Sequence, residues 1–231
     1  LFENLLTLLK TYPELLDNFT ENYRLVVHRA SMAHFGNSQI SRVRLVVIGI
    51  RKDLVGIPKG HFDLPKIKKS KLKRVKELEE GLEKEDPSSM NIRESSDTVV
   101  CMEKDFRKLT LKEIEVEWNS PKYKGKKKWD ATTTGKGNMK NLPGVYRNLA
   151  DSYPLTARKQ NRQFNSKGKI MTPRELARIQ GIPDDFKFTI PNNTNKSRQY
   201  YINKARLNAT KCPPMELSVW FKRKLKQLNL F

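Results

Sequence analysis

Glu3 and Asn4 stand side by side in FENLL, near the start of the chain. On residue type alone they are a solvated acid and a turn or helix cap; acid-base work would need a pocket and a partner. Arg42 and Arg44 occupy alternate positions in RVRLVVIGI. On a strand that puts both on one face and turns Val43 and Leu45 the other way, as a functional pair or as surface arginines at a sheet edge. Lys122, Lys124, Lys126, Lys127 and Lys128 form a run flanked by Tyr123 and Trp129. Such a run suits phosphate contacts or plain solubility, and Thr132, Thr133 and Asn138 just beyond it could reach bases. The stretch MTPRELARIQGIPDDF, residues 171–186, carries Arg174, Glu175, Arg178 and Gln180 before an Asp184-Asp185 pair. Two adjacent carboxylates repel phosphate, and no histidine or further acid lies at metal-ligand spacing, so the pair is expected to anchor its loop through backbone hydrogen bonds. Cys101 and Cys212 also lack metal-ligand spacing, and no metal site is expected.

The chain has 231 residues, with 46 Lys plus Arg against 25 Asp plus Glu and a net charge of +21. That is length for one medium domain or two small ones, and charge beyond what solubility needs. DNA, RNA, an anionic membrane surface and an acidic protein all fit this charge. No apolar run is long enough to cross a bilayer, and the start shows no signal-peptide pattern. Two cysteines are too few for a disulfide framework. An intracellular location is expected, cytoplasmic or nucleoid-associated in a prokaryote and nuclear in a eukaryote. LFENLLTLL opens as though inside a domain, as a fragment or one chain of a divided protein would.

These residues need elements to position them. YRLVVHRA, residues 23–30, and RVRLVVIGI, residues 42–50, read as strands, joined through the turn formers Gly36, Asn37 and Ser38. Helical spacing is expected over residues 1–10. Residues 66–89 run from basic to acidic and suit an exposed helix or loop; EIEVEW, residues 113–118, alternates as a strand with Ile114, Val116 and Trp118 on one face; residues 123–138 suit a loop. In MTPRE, Thr172 is a helix cap, Pro173 fits the first position and Glu175 completes a capping box. Leu176 and Ile179 face inward, and Gly181 with Pro183 ends the helix. A last helix is expected from Pro214 to Lys226, anchored by Leu217, Val219 and Trp220. The organisation is an α/β region over residues 1–55, an irregular small domain over 56–155, and a return to the first region over 156–231.

MTPRELARIQGIPDDFKF closely resembles a signature of the DNA cytosine-5 methyltransferases, in which Thr-x-Arg-Glu-x-Ala-Arg-x-Gln leads into a Pro-Asp loop. FEN at residues 2–4 resembles the family's Glu-Asn catalytic motif, with Leu5 where valine is usual. FGNSQISRVRLVVIG resembles its Gln-x-Arg-x-Arg segment, with the spacing after Gln39 shifted. LNATKCPP, residues 207–214, resembles its Gly-Asn-Ala-Val-Pro-Pro element, with Leu207 in place of glycine. The matches fall in the family's order. The resemblance implies a partial Rossmann-like sheet of an S-adenosylmethionine-dependent methyltransferase, with residues 56–155 as an inserted target-recognition domain.

The resemblance also implies roles. The family's reaction adds a cysteine thiolate to C6 of a flipped cytosine, methylates C5, and releases the thiol. Glu3 would hold or protonate N3, Asn4 would shape the loop, and Arg44 with Arg42 would orient Glu3 and donate to O2. Asn208, Ala209 and Pro213 would lie by S-adenosylmethionine, while Arg174, Glu175, Arg178 and Gln180 would brace the recognition domain against the catalytic one. Double-stranded DNA is the implied substrate, read in the major groove by the recognition domain. Neither cysteine follows a proline, so the Pro-Cys nucleophile and most of the cofactor site are expected on an N-terminal half that joins this chain. A divided enzyme would leave an apolar sheet face uncovered along Leu5, Leu8, Val27 and Val47. The alternative is an inactive DNA-binding remnant or specificity chain, which would cover that face.

Overall fold

The computed structural model describes residues 2–4, 11–54, 56–93, 99–100, 113, 116, 119–123, 127–128, 148–157, 163–188 and 196–229. In chain order the principal elements are β1 (Phe2–Asn4), α1 (Asp17–Thr20), β2 (Tyr23–Ser31), β3 (Val43–Arg51), α2 (Val75–Glu79), β4 (Val99–Val100), β5 (Lys127–Lys128), α3 (Pro173–Ile179), α4 (Arg198–Lys211) and α5 (Met215–Lys226). They fall into two compact units, Leu1–Leu72 with Pro213–Phe231, and Lys73–Cys212.

In the first unit β1, β3 and β2 form an antiparallel sheet in the order β1-β3-β2. Both long strands stand where alternation and β-branching place them. Leu45, Val46, Val47 and Ile48 are all buried, an unbroken apolar run along the central strand. Cross-strand pairing sets Val26 against Ile48 and His28 against Val46. Val46, Ile48 and Ile50 then pack with Ala30, Met32, Phe62, Leu217 and Trp220 as one core.

The link between β2 and β3 is built, not slack. A 3-10 turn over Met32–Phe35 closes on Gly36 at φ 101°, a left-handed conformation that favours glycine. The Ser31 hydroxyl donates to the Ile40 carbonyl at 2.6 Å and accepts the Ala33 N–H at 3.2 Å.

This unit runs past residue 55, and histidine chemistry supplies the reason. His28 Nε2 donates to the Phe62 carbonyl at 2.9 Å, His34 Nδ1 to Pro65 at 2.8 Å, and His61 Nε2 to Lys224 at 2.9 Å. The chain's three histidines therefore tie residues 61–65 to the sheet side and to α5. On the other face, Leu15, Leu16, Phe19, Leu25 and Val47 line an open apolar groove of about 320 Å³. Val27 is 44% exposed, as an uncovered face predicts, whereas Val47 is only 5% exposed. Leu5, Leu8 and the helix expected over residues 1–10 lie outside the described residues, apart from the extended Phe2–Asn4.

The second unit departs from several expectations. Within residues 66–89, Val75, Leu78 and Leu82 are buried at i, i+3 and i+7, so α2 is a core helix whose charges conceal its apolar stripe. Glu113 and Val116 are helical, not extended, and Val116 is exposed; Ile114 and Trp118 lie outside the described residues. Lys127–Lys128 pairs in parallel with Val99–Val100 inside the expected loop.

Helix α4 was not legible. It buries Ile202, Ala205 and Ala209, two of them too small to print an apolar stripe on a run of lysines, asparagines and tyrosines. Helix α5 matches its expected span, but its anchors need one correction. Leu217 and Trp220 are buried, while Val219 is 52% exposed. Replacing Trp220 by Ala should lower the unfolding free energy by about 3–5 kcal/mol, read as a fall in the urea midpoint. Val219→Ala should stay within about 0.5 kcal/mol.

Candidate functional site

The RELARIQ segment organises the second unit. Thr172 Oγ1 accepts the Glu175 N–H at 3.0 Å, and Glu175 Oε2 accepts the Thr172 N–H at 2.7 Å, so the predicted capping box is complete. Thr172 Oγ1 also donates to Asn91 Oδ1 at 2.9 Å, and the Asn91 amide donates to the Leu82 and Lys84 carbonyls. The other Glu175 oxygen accepts Arg93 at 2.8 Å and the Asn165 amide at 3.1 Å. Burial pushes the Glu175 carboxyl up from its ordinary value, and the Arg93 charge, the Thr172 N–H and the Asn165 amide pull against that rise.

Arg174 is buried and spends its guanidinium on three carbonyls: Ser89 at 2.9 Å, Pro183 at 3.1 Å and Phe186 at 2.6 Å. Its charge lies 5.0 Å from the Phe188 ring centroid. Arg178 donates to the Leu78 and Glu80 carbonyls and grips Asp184 through two bonds of 2.8 Å. Asp184 thus anchors its loop through its side chain and not, as expected, through backbone hydrogen bonds. Arg178 holds the Asp184 carboxyl below the ordinary aspartate range. Gln180 Nε2 donates to the Thr210 carbonyl at 3.2 Å and so joins α3 to α4. The four predicted bracing residues form one network, with partners at residues 78–93, 165, 172, 183–186 and 210, all within Lys73–Cys212.

Arg93, Asn91 and Asn165 complete that network and were missed. They sit in polar stretches with no periodicity to mark them.

In the first unit the β1–β3 register sets Glu3 opposite Val46 and Asn4 opposite Leu45. Glu3 is therefore paired two positions along β3 from Arg44, although some forty residues separate them in the chain. Arg44 is half-buried and donates to the Val43 carbonyl at 2.9 Å. Arg42 precedes β3 and is buried; its carbonyl accepts the Met32 N–H at 2.9 Å. Gln39 is fully buried, with its backbone N–H and its amide both donated to Asn37 Oδ1 at 3.0 and 3.1 Å. Asn37 in turn donates to Glu216 at 3.1 Å, and burial pushes that carboxyl up. Gln39 is therefore part of the β2–β3 link.

Asn208 is exposed on the last turn of α4, Ala209 is buried against Leu78, Met171, Leu176 and Ile179, and Pro213 begins the other unit's C-terminal segment. Asn208 and Ala209 both line a cavity of about 300 Å³ within the second unit. Among the described residues no cluster of His, Cys, Asp or Glu could hold a metal. Lys122 is exposed in the turn Pro121–Tyr123, and Lys127 and Lys128 form β5. Lys124, Lys126, Thr132, Thr133 and Asn138 lie outside the described residues.

Residues 1–201 match the model of the family described as C-5 cytosine-specific DNA methylase. No curated protein matches the chain. Among solved structures it is similar to one described as a DNA modification methyltransferase encoded within a prophage (E. coli), at a TM-score of 0.55 and 16% identity. That likeness covers 98% of this chain and 68% of the other, and at this identity it speaks to the fold alone.

Glu175→Ala breaks the capping box and leaves Arg93 with Glu85 and the Ile170 carbonyl, so it should cost about 1–3 kcal/mol in denaturant titrations. Asp184→Asn should cost at most about 1 kcal/mol at neutral pH, because the carboxylate is largely exposed. The Asp184 carboxyl is depressed in the fold, so its contribution is present above the ordinary aspartate pKa and lost as pH falls through the folded value. The pH dependence of stability in that acidic window should flatten in Asp184→Asn.

Proposed function

The chain belongs to the C-5 cytosine-specific DNA methylases, and we propose that it is the C-terminal part of such an enzyme, carrying the base-binding acid and the DNA-recognition region. Members of this family act with S-adenosylmethionine. In this reading the thiolate that attacks C6 and the methyl-donor site come from an N-terminal part with a Pro-Cys motif. Of the two cysteines, Cys101 follows Val100 and Cys212 follows Lys211, so neither has the Pro-Cys context.

The observation that carries the reading is the β1–β3 register, which pairs the Glu-Asn motif alongside the strand that bears Arg44. A carboxyl held there would hydrogen-bond N3 of an extruded cytosine and draw electron density from the ring as the thiolate adds. Arg44 would orient that acid and donate to O2. Asn4 would hold the motif's backbone. The lysine run at 122–128 would fix register on phosphates, with Thr132, Thr133 and Asn138 as base readers. The network around Arg174, Glu175, Arg178 and Gln180 would keep the recognition region in place.

β1 lies at the edge of its sheet, and the groove along Phe19, Leu25 and Val47 is open. Both support a companion segment that continues the sheet and covers that face. One observation favours the alternative, DNA binding without catalysis: the Gln39 amide is buried in the β2–β3 link, where it donates to Asn37.

Methyl transfer from labelled S-adenosylmethionine to duplex DNA separates the two. The chain alone should be inactive, and mixing it with an N-terminal methylase part should restore transfer. Glu3→Gln should then lose about two orders of magnitude or more in kcat, as expected for loss of a positioned acid. Unchanged turnover in Glu3→Gln, or a reconstituted pair that binds DNA and transfers nothing, would support the inactive alternative.

A further inference from the structure

Helix α4 and the loop after α3 build a surface of which the methylation reading uses Asn208 and Ala209 alone. A cavity of about 300 Å³ lies within the second unit, walled by Phe186, Phe188 and Tyr201 and edged by Lys187, Lys204 and Asn208. This volume is at the small end of ligand sites, enough for one planar ring system and far too little for a duplex. Phe186 meets Phe188 edge to face at 5.2 Å and 82°, and Phe186 is 49% exposed.

Lys204 belongs both to the cavity edge and to the neighbouring surface. Lys196 and Lys204 each place their ammonium 5.9 Å from the ring centroid of Tyr200, which is 44% exposed and stands edge to face with Tyr201 at 5.2 Å. Tyr200, Lys204, Asn208 and Lys211 recur at i, i+4, i+8 and i+11, so they share one face of α4. From Phe186 through Cys212 the chain has six Lys or Arg and no acid. The nearest carboxylates in sequence are Asp185, which is exposed, and Asp184, which Arg178 engages on both oxygens.

The wall is preorganised. Arg174 holds the Pro183 and Phe186 carbonyls, while Ile202 and Ala205 seat α4 on Met90 and Ile92. Aromatic faces beside ammonium groups, on an acid-free helix, match unpaired nucleotides: bases stack on rings, and phosphates track the lysines. An acidic peptide would use the lysines and leave the rings idle; a membrane surface would not need a one-ring cavity.

We propose that this face of α4, with the Phe186–Tyr201 cavity, binds a single-stranded stretch of nucleic acid, one base in the cavity and its neighbour on Tyr200. The proposal uses no residue of the lysine run at 122–128 or of the Glu3 motif, and it does not depend on methyl transfer. A chain inactive as a methylase would still show it.

The test is fluorescence anisotropy of the full 231-residue chain with a labelled oligothymidylate, followed by photocrosslinking of a 5-iodouracil version and peptide mass spectrometry. The expected result is crosslinks at Tyr200 or Phe186, affinity at least five-fold weaker in Phe186→Ala and Tyr200→Ala, and recovery in Phe186→Tyr and Tyr200→Phe. Lys204→Ala should lower the salt dependence of binding. Both aromatic side chains are half exposed, so the alanine variants should retain the wild-type unfolding midpoint, which is measured alongside. Wild-type affinity in both alanine variants, or crosslinks confined to residues 122–138, would overturn the proposal. So would anionic vesicles or an acidic peptide binding with the same dependence on the rings, or S-adenosylmethionine displacing the oligonucleotide.

Discussion

One carboxylate carries the second unit. Glu175 closes the start of α3 by accepting the Thr172 N–H, and with its other oxygen it takes Arg93 and Asn165 from segments that share no secondary structure with it. A buried acid is tolerated only when its lone pairs are met, and here they are met by one cation, one amide and one backbone donor. The neighbouring arginines extend the same logic. Arg174 satisfies carbonyls that no helix or strand pairs, and Arg178 holds the end of α2. Irregular backbone at residues 80–93 and 183–188 is thereby given hydrogen-bond partners that sheet or helix would otherwise supply. A short helix with nearly every residue buried makes sense in those terms: it is a hub for loops.

The local chemistry of that hub was legible because it depends on neighbours in sequence. Thr172, Pro173 and Glu175 announce a capped helix, and Leu176 and Ile179 its inner face. β2 and β3 were legible through β-branched runs. What failed did so for physical reasons. Val75, Leu78 and Leu82 are diluted by six intervening and flanking lysines and glutamates over residues 73–83, so their stripe reads as a solvated face. α4 buries alanines, whose small area gives little periodic signal. EIEVEW alternates as a strand does, yet its described positions are helical. Arg93, Asn91 and Asn165 act at long range, and nothing near them in sequence reports their partners.

The proposed site was legible only through motif order. Glu3 carries no local mark of a catalytic acid, and its significance comes from the register that sets β1 beside β3. Arg42 and Arg44 were read as alternate residues on one face of a strand, but β3 begins at Val43 and leaves Arg42 before it, and Gln39 shows a further limit of that reading. Its amide is consumed by Asn37, within a link that also engages Glu216 of α5. Packing thus decides what the motif residue does, and here it stiffens the entry to β3.

In the proposed reading this chain supplies the base-binding half of a cytosine-5 methylation site and receives its nucleophile from elsewhere. A duplex bearing 5-fluorocytosine at the target position tests it most directly, since fluorine at C5 cannot leave as a proton does and the thiol adduct at C6 persists. No adduct is expected on this chain alone and, with an N-terminal methylase part and S-adenosylmethionine present, an adduct is expected on that part's Pro-Cys cysteine. A covalent adduct on Cys101 or Cys212 would contradict it.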